Sequence, residues 1–354
     1  MKSILRSLVL LSVVLLVTSG LIHAQTPAET FCGDLTAADC TLLTESQAAM
    51  KDLESQSFKL DMNFDMKGLP SKPSEMSFKL TGSGSVLKDS KAMSDLEKID
   101  PTTFGKDPKA IFDLLSKVVT AVSADVHFTL DLPADLVKEM GNSTLPKTIN
   151  LSIKLVDGVG YVNVGELSTA FPQLKGAKGW MGMSIPDLIT AIMKQPGFNA
   201  SMSSMGSGMN MNMYTNSAFT DPKMLAKFMK IERLSDGEVG STKVAVFKTT
   251  LDYAALFALP EMQDMIKQQM QASGSKFSDK DFSAAMLMVR GLMQDAEFNM
   301  TQNIGLEDQY LYQTSMNMKF DMSSMKAQMG GAYVFTMGAT VTMSCPGEPV
   351  VPEG

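Results

Sequence analysis

The feature of this sequence that most constrains its fold is a repeated alternation of apolar and polar residues. Between residues 57 and 67, every second residue is apolar, namely Phe58, Leu60, Met62, Phe64 and Met66. Side chains on a β-strand point to opposite faces in turn, so the segment predicts a strand with one apolar and one hydrated face. The same alternation recurs in residues 126–132, 148–155, 310–322 and 333–343.

One-sided strands are typical of antiparallel sheets, because strands of parallel sheets are covered on both faces and contain continuous apolar runs. Asp157-Gly158 separates two strand-like runs and predicts a tight hairpin turn. A twisted sheet of about ten strands tends to curl, and its apolar face must be covered. We therefore predict an α+β fold: a large curved antiparallel sheet of about ten or eleven strands, an open half-barrel with helices covering its concave apolar face.

Helical patterns interrupt the strands and supply this cover. Helices are predicted in residues 41–55, where Thr41 or Thr44 would be the cap, and from Pro108, Pro186 and Pro260 onward. Ser278 is predicted to cap a further helix. The apolar residues of these segments recur at helical spacing, so each helix presents one apolar stripe to the sheet.

The first 24 residues predict an export signal. Lys2 and Arg6 give it a positive start, residues 8–17 form a short apolar core, and Ile22 and Ala24 stand at the positions that a signal peptidase recognises. An apolar core of about ten residues is too short for a comfortable membrane span. We expect cleavage and a soluble periplasmic or extracellular protein; an uncleaved N-terminal anchor is the alternative.

The mature chain is predicted to be a single domain over residues 25–345 with a disordered tail over 346–354. Residues 196–222 are rich in Ser, Gly, Asn and Met without any period, which predicts a long flexible loop. Loss of Lys2 and Arg6 with the signal changes the formal net charge from −7 to −9. Such an acidic chain binds nucleic acid poorly, so we expect no nucleic-acid partner.

The chain has three cysteines, two near its N-terminus and one near its C-terminus, and the question is which of them pair. Outside the cytosol thiols tend to pair, and an odd number leaves one over. Cys32 and Cys40 are close in sequence, which favours a disulfide between them. A bond from Cys345 to either of them is the alternative, and it would tie the last strand to the N-terminus.

Several segments together resemble a known family. A helix runs into an aromatic strand (QAAMKDLESQSFKLDMNF), DGVGYVNVGE is followed by KGWMGMSI, and IERLSDGEVGSTKVAVFKTTLD comes later. This order is similar to the exported lipoprotein-carrier superfamily that includes LolA, LolB and the mycobacterial LppX and LprG proteins. The chain departs from the lipidated members, because Cys32 follows Glu29-Thr30-Phe31 and has the wrong context for acylation.

The resemblance implies a half-barrel of about eleven antiparallel strands with a hydrophobic cavity between the sheet and its helices. Members of that group are binders rather than enzymes, and none of their residues can be transferred by position. The expected partner is a lipid or another hydrophobic small molecule, with transient membrane contact allowed and no cofactor. Candidate lipid-binding residues are apolar or aromatic residues of the strands: Phe58, Met62, Phe64, Phe128, Leu151, Ile153, Tyr161, Trp180, Met316, Met318, Phe320 and Phe335.

Residues for catalysis are scarce. After signal cleavage His127 is the single histidine, and it lies on the polar side of its strand near Thr129 and Asp131. Serine and cysteine triads normally need a histidine base, and common zinc sites need several His or Cys ligands. No nucleophile-elbow, metalloprotease, phosphate-loop or dinucleotide-binding motif is present. We therefore expect no enzyme activity and an exposed strand histidine.

Methionine is abundant, with 31 residues in the chain. On strands, flexible thioether side chains fill a core or form a pliable wall around a variable ligand. The loop methionines Met202, Met205, Met209, Met211 and Met213 have no apolar face to serve, and soft thioether ligands suit Cu(I). A copper binder is therefore one alternative function. Another is an interaction or sensory domain whose helices fill the half-barrel completely.

Overall fold

The computed structural model describes residues 30–68, 74–89, 91–92, 108–133, 146–168, 174, 176–193, 221–272, 278–323 and 331–345. The predicted signal, nearly all of the predicted loop at 196–222 and the predicted tail lie outside the described residues. The predictions for these three segments therefore stay predictions.

Twelve strands of the described residues form one antiparallel sheet. They are β1 (Ser55–Lys67), β2 (Glu75–Lys88), β3 (Val122–Asp131), β4 (Thr148–Val156), β5 (Val159–Asn163), β6 (Trp180–Ser184), β7 (Met229–Arg233), β8 (Gly237–Val239), β9 (Thr242–Leu251), β10 (Glu297–Gly305), β11 (Leu311–Asp321) and β12 (Val334–Ser344). Their spatial order is β6-β5-β4-β3-β2-β1-β12-β11-β10-β9-β7, and β8 pairs with β9.

The predicted fold class is confirmed. The sheet is antiparallel throughout, and it is open because its edge strands β6 and β7 do not pair with each other in the described part of the chain. It has twelve strands rather than ten or eleven. The additional strands include β8, whose three residues are too short to show alternation in the sequence.

Eight helices accompany the sheet within the described ranges. They are α1 (Ala37–Asp52), α2 (Pro108–Ala121), α3 (Val164–Leu167), α4 (Ile185–Met193), α5 (Pro222–Leu225), α6 (Tyr253–Ala258), α7 (Pro260–Ala272) and α8 (Asp279–Met293). The predicted cap of α8 is confirmed: the Ser278 hydroxyl accepts from the Asp281 amide, and the Asp281 carboxylate accepts from the Ser278 amide. None of the described helices is long and apolar enough to cross a bilayer.

The first helix begins earlier than predicted. Thr36 is its cap, since its hydroxyl oxygen accepts from the Asp39 amide at 3.2 Å. Thr41 and Thr44 were wrong as caps, because their hydroxyls lie inside the helix and donate to carbonyls one turn earlier. A threonine in the first turns is compatible with either role, so the sequence alone could not separate them.

The predicted hairpin turn is confirmed between β4 and β5. Asp157 has φ of 50° and Gly158 has φ of 75°, as a two-residue hairpin turn with both central residues in the left-handed region requires. This turn fixes the register in which Leu155 pairs with Gly160. It therefore also fixes which residues of β5 face the core.

Strand register keeps apolar residues together on one face of the sheet. Met62 of β1 pairs with Ala339 of β12 and with Leu80 of β2, and Leu80 pairs with Leu130 of β3. On the opposite face, Asp61 pairs with Thr340 and Thr81. We call these two sides of the sheet the apolar face and the polar face.

Helices seal the apolar face toward one end of the strands. On one wing, Val119 of α2 and Ile185 of α4 pack in a core with Leu155 of β4. On the other wing, α1 packs over β9 and β10 through Met50, in a core that contains Phe247. A third core joins α7 to the region beside β7 through Phe228, Leu259, Met262 and Met265.

The N-terminal segment is held by a disulfide within it and by an ion pair to the sheet. Cys32 and Cys40 form a disulfide with a Cα–Cα distance of 5.4 Å, and Cys345 is a free thiol. Arg233 of the edge strand β7 lies over the Phe247 ring at 5.3 Å and forms an ion pair with Asp39 of α1 at 3.3 Å. These contacts hold α1 across the apolar face.

Replacement of Phe247 by alanine tests the core under α1. The Phe247 side chain is fully buried, so its removal leaves a cavity and should lower the free energy of unfolding by roughly 3–5 kcal/mol. Val246→Ala is the matched control on the opposite face, with an expected loss of about 1 kcal/mol or less. Urea denaturation of both variants measures the difference, and equal losses would contradict the assignment of faces.

The pH dependence of stability tests the environment of Cys345. Burial, followed by the charge of Asp308, raises the pKa of the Cys345 thiol from 9.0 to about 11. The folded chain therefore retains a proton that the unfolded chain loses, and stability should fall as the pH rises from about 9 to about 11. Denaturation curves across this range should show a shallower fall for Cys345→Ala. Identical pH profiles for both proteins would rule out the buried thiol as the cause.

Candidate ligand-binding face

The middle of the apolar face is covered less completely than its wings. Half-buried side chains on β1, β2, β11 and β12 that belong to none of the three cores form what we call the central patch. Its members are Met62, Phe64, Met66, Met76, Phe78, Leu80, Met316, Met318, Phe320, Phe335 and Met337. Register makes the patch continuous, since Phe64 pairs with Phe78 and Met337, and Met337 pairs with Met318. The patch is therefore a connected apolar surface rather than scattered residues.

A row of aromatic rings crosses the central patch. The ring centroids of Phe64 and Phe78 are 5.7 Å apart, and those of Phe64 and Phe335 are 4.6 Å apart, both edge to face. Phe320 continues the row at 5.9 Å from Phe335, and Tyr253 of α6 lies 5.7 Å from Phe320. Aromatic rings at these separations stabilise each other by more than the burial of their apolar area alone. The row is therefore a stable part of the patch.

Helices α6 and α8 stand beside the patch. They pack against each other, and α8 also touches β11. Burial raises the pKa of the Tyr253 phenol, which indicates partial exclusion of water at this edge. A hydrophobic molecule on the patch would thus have sheet on one side and helix nearby.

Ten of the twelve candidate lipid-binding residues lie on the apolar face. Met62, Phe64, Met316, Met318, Phe320 and Phe335 belong to the central patch. Phe58, Phe128 and Leu151 pack against the core of α2 and α4, and Ile153 is 3% exposed on the same face. The structure therefore brings six candidates together at one place and uses the other four mainly for the adjoining core.

Tyr161 and Trp180 are separated from the other ten candidates. Tyr161 pairs with Lys154 and Trp180 pairs with Asn163, so both rings lie on the polar face. The Tyr161 ring covers Gly182, where a Cβ atom would lie 2.7 Å from Cε1 of the ring. Trp180 is 42% exposed with the Lys154 ammonium 5.2 Å from its ring. Val162 takes the apolar-face position of β5, which leaves both rings away from the central patch.

The ring of Phe128 can lie against β2 because the residue paired with it is a glycine. Phe128 pairs with Gly82 of β2, and a Cβ atom on Gly82 would lie 2.7 Å from Cδ1 of the ring. The ring thus lies flat against the neighbouring strand, between the core of α2 and the central patch. A larger residue at position 82 would push Phe128 away from the sheet.

His127 takes part in a chain of polar contacts on the polar face. Its Nδ1 lies 2.8 Å from the Ser152 hydroxyl, and that hydroxyl donates to Glu166 at 2.7 Å. Its Nε2 lies 3.3 Å from Asp125. Ser152 is only 3% exposed and its proton is directed to Glu166, so this arrangement holds strands together and does not present a nucleophile.

Metal ligands of the usual kinds are not gathered in the described ranges. No group of three or more His, Cys, Asp or Glu residues is placed there to hold a metal ion. The candidate copper ligands Met202, Met205, Met209, Met211 and Met213 all lie outside the described residues. The methionines of the central patch are strand residues with an apolar surface to form, which is the ordinary use of this side chain.

The polar face carries a groove that sequence reasoning missed. It has a volume of about 440 Å³ and crosses β3, β2, β1 and β12. Its walls are mainly polar residues that alternate with the apolar ones on these strands, among them Ser83, Thr81 and Thr340. Alternation predicts only that such residues face water, and the register that aligns them into rows cannot be read from one sequence.

Comparisons with known proteins give structural likenesses only. No family model matches the chain, and no curated protein matches its sequence. The chain is similar to the crystal structure of LprF from Mycobacterium bovis, with a TM-score of 0.34, 9% identity and coverage of 89% of this chain and 95% of that one. For the lipoprotein LppX from Mycobacterium tuberculosis the TM-score is 0.26 and the identity 11%, with coverage of 88% and 98%.

A third similar structure is a DUF1329 family protein from Desulfovibrio piger, with a TM-score of 0.18 and 6% identity over 86% of this chain and 89% of that one. The fold itself rests on the strand order and register described above.

Gly82→Ala tests the packing of Phe128. The added methyl group would meet the ring and force it to move, so we expect a loss of roughly 1–3 kcal/mol in the free energy of unfolding. In Gly338→Ala the new Cβ meets only the Asn317 side chain at 3.2 Å, and a smaller change is expected. Adding Phe128→Ala should make the Gly82 substitution nearly neutral. Additive losses in this double variant, measured by denaturation, would count against the contact.

Proposed function

We propose that this chain is a non-enzymatic binder of lipid-like hydrophobic molecules, which it holds against the central patch. The observation that carries the proposal is the contrast between two sealed wings and a connected, half-buried apolar centre. A sheet whose only task is to form a core would bury its centre best. Here the side chains at the centre are only half-buried.

The chemistry of the patch suits a variable apolar ligand. Burial of hydrocarbon contributes about 0.8 kcal/mol per methylene group, so an acyl chain needs no special polar partner. Six of the patch side chains are methionines, which adapt their shape to different ligands at little cost. The phenylalanine row supplies a firm surface between them.

A carrier role follows if the predicted export signal functions. The mature protein would then act in the periplasm or outside the cell and would shield a hydrophobic cargo from water. Mass spectrometry of lipids extracted from protein purified from its own host would identify the cargo.

Ala339→Trp tests this function directly. Ala339 is the small residue between Met62 and Met316 on the apolar face, and an indole there would occupy the ligand space. We expect uptake of a fluorescent long-chain fatty acid to weaken about tenfold, equivalent to 1.4 kcal/mol. Thr336→Trp is the matched control, because it lies on the same strand but on the polar face, between Asp65 and Lys319.

The two variants also distinguish a ligand space from a packed interior. In a ligand space, the indole of Ala339→Trp is accommodated and the melting temperature changes little. In an interior filled by the protein itself, the same substitution overpacks and lowers stability by roughly 1–3 kcal/mol. No fatty-acid uptake by the unmodified protein, together with this loss of stability, would refute the proposed function.

A further inference from the structure

The groove on the polar face is built from two parallel rows of side chains that cross four strands. One row consists of paired residues from β3, β2, β1 and β12: His127, Ser83, Lys59 and Thr342. The neighbouring row is Thr129, Thr81, Asp61 and Thr340. Since strands lie about 4.8 Å apart, each row is about 14 Å long. The groove runs between the rows, perpendicular to the strands.

The floor of the groove is low because of what lies between the rows. Gly82 and Leu60 are the residues there, and both belong to the apolar face, so only their backbone is presented to the polar side. Ser83 and Thr81 keep the middle of the walls short. The longer side chains of Lys59 and His127 belong to the same row as Ser83, so one side of this open groove is higher than its middle.

Hydrogen bonds to side chains outside the groove fix the orientation of some of its hydroxyl groups. Thr129 donates its hydroxyl proton to Asn150 at 3.0 Å, so its oxygen retains lone pairs for a ligand donor. Thr342 accepts from the Gln313 amide at 3.1 Å, so its own proton remains available to a ligand acceptor. The groove therefore offers both acceptors and donors at fixed places.

The groove leads toward the exposed tryptophan through a chain of contacts. His127 Nε2 lies 3.3 Å from Asp125, whose carboxylate lies 3.4 Å from the Lys154 ammonium. That ammonium lies 5.2 Å from the ring of Trp180 on the edge strand β6. Trp180 is 42% exposed on the same polar face. It lies three strands beyond β3 and outside the lining of the groove, so it is a separate aromatic platform for a ligand long enough to reach both.

Charge along this path is mixed and largely compensated. Asp61 is paired with Lys79 at 3.2 Å, Asp125 with Lys154, and Lys59 supplies one further positive charge in the wall. Such a surface does not select an anion or a cation. Paired donors and acceptors together with an aromatic ring complement a neutral molecule that presents many hydroxyl groups and apolar ring faces.

We propose that the polar groove and Trp180 form a binding site for a neutral oligosaccharide. The hydroxyl groups of the sugar exchange hydrogen bonds with the threonine and serine rows, and one sugar ring stacks on the indole. The site lies on the side of the sheet opposite to the central patch, so it adds a second ligand to the proposed lipid binder and does not depend on that function.

Trp180 provides the readout, because it is the sole tryptophan of the chain. The full-length protein would be titrated with neutral hexasaccharides of glucose and of N-acetylglucosamine in α- and β-linked forms. A saturable change in tryptophan fluorescence is expected with at least one of them, and calorimetry would give the affinity independently. No fluorescence change and no heat with any of these probes would overturn the proposal.

Two substitutions on β2 localise the site. Ser83→Tyr places a ring in the groove, whereas Ser77→Tyr places the same ring on the same face and strand but beside Asp65, outside the groove. Binding of the selected hexasaccharide should weaken about tenfold in the first variant and stay unchanged in the second. Trp180→Leu should weaken binding in calorimetry, since stacking on the ring is lost. Equal affinities of the two tyrosine variants would refute the groove.

Fatty-acid uptake separates this inference from the proposed function. Ser83→Tyr should bind the fluorescent fatty acid as the unmodified protein does, because Ser83 points away from the central patch. Ala339→Trp should in turn bind the hexasaccharide normally. Loss of both ligands in a Ser83→Tyr variant whose melting temperature is unchanged would contradict two independent sites.

Discussion

The structure depends on one constraint, which is that each strand keeps its apolar residues in register with those of its neighbours. A shift of a single residue would exchange the faces, placing Lys59 and Asp61 under the helices and Leu60 and Met62 in water. The α1 core and the α2 core both act against such a shift, because each helix packs on several strands at once. Register thus creates both faces, and with them every candidate site.

Much of the fold could be predicted from the sequence because alternation is a local property. The strand at residues 57–67, the Asp157-Gly158 turn and the Ser278 cap each depend on nearby residues alone, and the structure contains all of them. The start of α1 was misplaced, since Thr36, Thr41 and Thr44 carry the same hydroxyl and only the backbone decides which of them is the cap.

The candidate sites were less predictable, because they depend on pairing between distant strands. Tyr161 and Trp180 look like apolar strand residues, yet their neighbours Val162 and Met181 take the positions on the apolar face and leave both rings on the polar face. Phe64 and Phe335 come from opposite ends of the chain, so no local pattern shows that their rings meet. The rows of the polar groove combine residues from four strands in the same way.

Pairing of the first strand with the last has a consequence for how the protein acquires its binding surface. β1 and β12 are neighbours at the centre of the sheet although almost the entire chain separates them. Contacts of such high sequence separation form slowly, because a long loop must close before they can stabilise anything. During synthesis, which proceeds from the N-terminus, the chain therefore lacks the complete hydrophobic binding surface until the segment that forms β12 has been made. Immature or truncated molecules would carry an unprotected β1 edge instead, so completion of synthesis would both create binding capacity and remove a site of aggregation.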